Sequence, residues 1–162
     1  MTLISNKKKN GYAVLELLFY IASFAIFSLI VINAMITMSR SFRETAIQAE
    51  FVQSGTIMER ISREIRQAND INSIGINDLV LNTGVNETME FKFAGSDIQL
   101  WDTGSNIGNL NSPSIAVTNL VFTSITTAKS KVVKIVLSIK SNNDKLNRTV
   151  DFYDTIVLRG SY

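Results

Sequence analysis

An α+β fold, with one long N-terminal helix and an antiparallel β-sheet packed on its second half, is predicted from three features. Residues 17–39 form an uninterrupted apolar run that contains no charged side chain. Beyond it, Ile47, Phe51, Ser54, Met58, Ile61, Ile65 and Ala68 recur at alternating spacings of four and three, which is the period of one helix face. From Asp78 the period changes to two, as in a strand with one buried face.

The first element is apolar enough to dominate the composition. The 162 residues are 46% hydrophobic, and the mean hydropathy of +0.17 is high for a water-soluble domain. As a helix rising about 1.5 Å per residue, residues 17–39 would span about 35 Å. A bilayer core is about 30 Å thick, so the run predicts one transmembrane pass within residues 12–39. Lys7, Lys8 and Lys9 precede it. An excess of cationic residues marks the cytoplasmic side of membrane segments, which predicts an inside N-terminus and an exported C-terminal head.

Three of the 16 basic residues are those lysines, so the remainder falls just short of the 14 acidic ones. The exported part is thus close to neutral and carries no electrostatic footprint for nucleic acid. Cysteine and histidine are both absent. Disulfides, thiolate nucleophiles, Ser-His-Asp triads and imidazole metal ligands are thereby excluded, and the chain is expected to be neither an enzyme nor the holder of a metal or cofactor.

One residue conflicts with a plain membrane anchor. Glu16 lies close behind the start of the apolar run, where a carboxylate raises the cost of insertion, by about 2.5–3.5 kcal/mol if placed centrally. In a permanent signal anchor, Glu16 would reach back to the headgroups. A cleavable secretory signal fits less well, because the run far exceeds a signal-peptide core of about 7–15 residues, although Ile32-Asn33-Ala34 imitates a cleavage pattern.

The stretch KKKNGYAVLELLFY (residues 7–20) resembles the leader junction of type IV pilins and type II secretion pseudopilins. The resemblance implies a leader over residues 1–11, cut between Gly11 and Tyr12 by a prepilin peptidase that also methylates Tyr12. It places Glu16 fifth in the mature chain, where the family carries a glutamate that neutralises a neighbouring subunit's N-terminal amine. Two buried charges, each costly alone, would then be paired inside an apolar helix bundle. Tyr12 stands where phenylalanine is commonest. Asn33 stands where many pilins have a helix-bending proline, and the only proline is Pro113, so no proline kink is expected in this helix.

Residues 40–70 continue the helix as an amphipathic segment. Glu59 with Arg63, and Arg60 with Glu64, are spaced for pairing on a solvated face, and Arg66 belongs to the same face. Gly55 interrupts the segment and marks a bend or a close approach. Asn69-Asp70 is the expected end.

Residues 71–162 then form the β head. In ETMEFKFA, Met89, Phe91 and Phe93 alternate with Thr88, Glu90 and Lys92, and Gly95-Ser96 turns the chain into DIQLWD. IAVTNLVFTSI, KVVKIVLSIKS and RTVDFYDTIVLR are three further strands, with Val133, Ile135, Leu137 and Ile139 on one face of the second. DTGSNIGNLNSPS reads as a polar connection rather than a calcium loop, because it lacks alternating acids. SNNDK (residues 141–145) reads as a hairpin turn. Trp101 reads as a sheet packing residue. Asp151 and Asp154, three apart in a strand, point to opposite faces and cannot act as paired carboxylates.

TIMERISREIRQAND, VTNLVF, VKIVLSIKS and TIVLRG are similar to the helix end and last strands of J-type minor pseudopilins and related minor pilins. The resemblance implies a filament subunit acting at initiation or at the tip. Its partners would be the prepilin peptidase, other pilin or pseudopilin subunits, the membrane and an assembly platform. The reading from a different class is a permanently anchored, single-pass binding module whose β domain takes an extracellular ligand.

Overall fold

The computed structural model describes residues 9–126 and 130–159. The fold is α+β. Helix α1 runs from Lys9 to Gln67, and eight strands follow: β1 (Asp70–Ile74), β2 (Asp78–Gly84), β3 (Glu87–Ala94), β4 (Asp97–Asp102), β5 (Ser105–Asn109), β6 (Ile115–Thr126), β7 (Lys131–Ser141) and β8 (Thr149–Val157). The chain divides into two compact units, one ending at Thr45 and the other beginning at Ala46.

In the second unit the strands make two antiparallel sheets rather than the single sheet expected. β1 to β5 follow one another as a meander, and β6-β7-β8 form a separate three-stranded sheet. The break has a local cause in Asn111, a buried residue of the β5–β6 connection. Its Oδ1 accepts the Ile98 N–H at 2.9 Å, while its Nδ2 donates to Asp97 Oδ1 and to the Ile115 carbonyl, both at 2.8 Å. One amide thus satisfies backbone groups of both sheets where neither ladder can. Two backbone bonds complete the seam, Val117 N–H to the Ser96 carbonyl at 2.8 Å and Phe122 N–H to the Ile76 carbonyl at 3.0 Å.

The core is built on the predicted helix stripe. Ile47, Phe51, Ser54, Met58, Ile61, Ile65 and Ala68 are all buried, and one cluster joins the apolar members of this face to Leu79, Phe91 and Ile98 of the first sheet and Leu120, Leu137 and Ile156 of the second. Val133, Ile135, Leu137 and Ile139 are fully enclosed, as alternation requires. Polar contacts fix the helix rotationally. Ser141 Oγ and Asn143 Nδ2 donate to the Glu50 carboxylate, and Ser62 Oγ donates to Asp154 Oδ2. Glu50 and Ser62 lie about 18 Å apart along the helix axis, so rotation or sliding breaks both.

Several local expectations need correction. α1 stops at Gln67, slightly before Asn69-Asp70, because Asn69 N–H leaves the helix to bond the Asn82 carbonyl at 2.8 Å. Among the described residues, Arg63 makes its ion pair with neighbouring Glu64 at 3.7 Å rather than with Glu59, and the expected Arg60–Glu64 pair is not formed. A pair at adjacent positions does not brace successive turns. Two strands were not expected. β1 is short and bulged between Ile71 and Ser73. β5 lies within the segment read as a polar connection and is exposed along its whole length. It pairs with β4 because Thr103 and Gly104, at φ 47° and 80°, form a tight turn with both central residues in the left-handed region.

SNNDK does form the β7–β8 turn, held by Asp144. This buried carboxylate accepts the Leu146 and Arg148 N–H groups, both at 3.0 Å, and Arg148 Nε at 2.8 Å. The Arg148 hydrogen bond, with the two backbone donors, holds its pKa down to about 2 against the opposing effect of burial. Asp70 is likewise lowered, first by its hydrogen bond from Lys131 and then by the Ile71 N–H.

Two outcomes are expected in solution. Because both pKa values are depressed on folding, their stabilisation is complete above the unfolded-state value of about 4 and is lost as pH falls through the folded-state values, about 2 for Asp144. Denaturant titrations should therefore show little change from pH 7 to about 5 and a decline below, with a shallower decline in Asp144→Asn. Gly55→Ala should stabilise the chain by about 0.5–1 kcal/mol, since an added Cβ meets Phe152 Cε1 at an ordinary 3.8 Å. Thermal unfolding of the two chains side by side reads this directly.

Candidate functional site

The other unit contains a surface that water does not accommodate. Tyr12, Leu15, Leu18, Phe19, Phe24 and Phe27 are each at least 66% exposed, and exposed apolar residues continue to Phe42. The helix is long and apolar enough to cross a membrane, its most apolar window having a mean hydropathy of 2.4 with none of that window buried. A contiguous apolar surface of this extent requires a lipid or protein partner.

Glu16 is the single acid within the first eight turns of this surface and is itself exposed. Among the described residues it accepts one side-chain hydrogen bond. Tyr20, one turn onward, donates its hydroxyl to Glu16 Oε1 at 3.0 Å. That bond satisfies Oε1, while Oε2 has no hydrogen-bond partner among the described residues. The i,i+4 spacing that brings the two together was readable in the sequence, although Tyr20 was not singled out there. Tyr12, at i−4 from Glu16, lies on the same side of the helix and is 79% exposed.

The remaining predicted processing residues are described in part. Lys7 and Lys8 lie outside the described residues, while Lys9 and Gly11 enter only as helical backbone. The helix runs uninterrupted through Asn33, whose carbonyl accepts Thr37 Oγ1 at 2.9 Å, so neither proline nor a lost backbone bond breaks it there.

The head offers less chemistry. Asp151 is exposed and Asp154 half-buried on the opposite face of β8, so the two carboxylates do not converge. No group of three or more acidic side chains that could hold a metal ion occurs among the described residues. Trp101 is half-buried on β4, its Nε1 donating to Gln99 Oε1 at 3.3 Å. Sequence reasoning did not single out Glu50 and Ser62, whose partners are 91 to 93 residues away in sequence.

No known protein family, curated protein or solved structure matches the chain.

Replacing Phe27 with lysine should cost about 2.5–3.5 kcal/mol of membrane insertion. A glycosylation-reporter insertion assay on the full chain would register this as a shift toward the non-inserted form, whereas Phe27→Leu should leave insertion unchanged.

Proposed function

We propose that the chain is a minor pilin or pseudopilin, a structural subunit cut by a prepilin peptidase between Gly11 and Tyr12 and assembled into a type IV pilus or a type II secretion-like pseudopilus. The observation that carries this reading is Glu16, a lone carboxylate near the start of an otherwise apolar, solvent-exposed helical surface. A simple anchor has no use for it. A subunit that leaves the bilayer for a bundle of like helices does, because the new amine at Tyr12 of one subunit can pair with the open Glu16 oxygen of the next.

The physical support extends along the chain. The apolar surface of residues 12–39 supplies packing area for neighbouring helices, and the head folds around its own core, so a subunit can wait in the membrane as a finished domain. The lysines at positions 7 to 9 would hold the N-terminus on the cytoplasmic side of the inner membrane, with the head outside. The subunit acts by packing, without catalysis or cofactor. Its partners are the peptidase, other leader-bearing subunits and the assembly platform with its ATPase.

The test is the intact mass and N-terminal sequence of protein recovered from membranes of cells with and without a prepilin peptidase. A peptidase-dependent start at Tyr12, carrying an added methyl group, is expected. Glu16→Gln should leave that cut in place while lowering incorporation into filaments by about tenfold or more, since it strands a buried amine. A leader retained under both conditions would overturn this reading and leave the permanently anchored, single-pass binding module as the alternative.

A further inference from the structure

β8 is the outer strand of its sheet and pairs on one side only. Its hydrogen-bond phase follows from one contact. Leu158 N–H donates to the Lys131 carbonyl at 3.0 Å, and Val157 lies opposite Val132, so residues 158 and 131 are the next opposed positions and form a bonded pair. Bonded and non-bonded pairs alternate along an antiparallel ladder. Val150, Phe152, Asp154 and Ile156 therefore turn their backbone groups toward β7. Asp151, Tyr153, Thr155 and Val157 turn theirs to the unpaired edge.

That edge is guarded at one point. Asp154 Oδ1 accepts the Thr155 N–H at 2.8 Å, while its Oδ2 accepts Ser62 Oγ. An inward-pointing acid on an edge strand is a common defence against indiscriminate strand pairing. Among the described residues, the N–H groups of Tyr153 and Val157 on either side have no such cap.

Beside the edge lies a cleft of about 820 Å³ between β8 and the end of α1. Met58, Phe152 and Val157 supply its apolar lining, and Arg63, Arg66 and Arg159 its charge. Arg66 and Arg159 have no carboxylate partner among the described residues, and Arg63, 62% exposed, has only the 3.7 Å contact with Glu64. Against these stand Glu59 and the committed Asp154.

We infer that this edge and cleft form a docking strip for an extended, acidic segment of a partner polypeptide, added to the sheet as a strand beside β8. The occupant is a polypeptide because only an extended backbone offers donors and acceptors at the two-residue period of the edge. It is acidic because the unpaired arginines outnumber the free acid beside them. On docking, Thr155 N–H passes from Asp154 Oδ1 to an incoming carbonyl, while Ser62 keeps hold of the other oxygen. This surface depends on neither leader cleavage nor filament assembly.

Backbone hydrogen exchange on the full chain in detergent micelles tests it. The probe is a capped peptide of alternating valine and threonine with glutamate at both ends. Without peptide, the amides of Tyr153 and Val157 should exchange faster than that of Thr155. With peptide, Tyr153 and Val157 should gain saturable protection of about tenfold or more, and Arg66→Glu with Arg159→Glu should weaken the apparent affinity about tenfold. Unchanged protection of Leu137 and Ile156 would certify that the double variant is folded. No gain at about 1 mM peptide, a dissociation constant too weak for a specific strip, would overturn the proposal. So would equal protection by a peptide with lysine in place of glutamate. Protection that rises with protein concentration alone would overturn it in favour of a second copy of the chain.

Discussion

The apolar face of α1 between Ile47 and Ala68 is the constraint on which the head depends. Neither sheet can bury its inner face on the other alone, because their seam is only a buried asparagine and a few backbone bonds. The helix supplies a common wall. Ile61 and Ile65 are fully enclosed at its centre, and strands from both sheets reach the same cluster. At about 25 cal/mol for each Å² of apolar surface removed from water, that shared burial is the main favourable term holding two small sheets together. The Glu50 and Ser62 contacts add little net energy but select one rotation and one register among the packings the apolar stripe permits.

The first part of the same helix obeys the opposite logic. Its apolar surface has no partner within the chain, so its free energy is settled by whatever surrounds it. Lipid satisfies the hydrocarbon side chains but not Glu16, and the Tyr20 hydroxyl answers only one of the two carboxylate oxygens. A position that is tolerable in the membrane and favourable only beside a cation is a natural handle for an assembly reaction. The filament proposal rests on that energetic asymmetry.

The sheet edges are treated unequally. β5 is short and exposed, β1 is bulged, and β6 is stitched to the neighbouring sheet. β8 alone combines nine residues of regular strand with a capping acid and an adjacent cationic cleft. An edge guarded at a single point between free donors is both protected from random pairing and available to a matched strand.

The sequence by itself determined the α+β class, the apolar and amphipathic parts of α1, the seven buried positions of its stripe and the inward face of β7. These are set by periods of 3.6 and 2 that repeat over many residues, so short-range hydrophobicity suffices to read them. Glu16 was legible for the same reason, as a charge against an apolar background. Only the tertiary structure decided the split into two sheets, the existence of β1 and β5, and the partners of Glu50, Ser62 and Asn111. β5 has one apolar residue in five and owes its pairing to a turn in which Thr103 takes a left-handed conformation. The anchors of Glu50 and Ser62 join residues from 91 to 93 positions apart, and no local pattern encodes which distant hydroxyl or amide a carboxylate will meet. Burial sorts apolar from polar along the chain, whereas a buried polar group is specified only by the partner that folding brings to it.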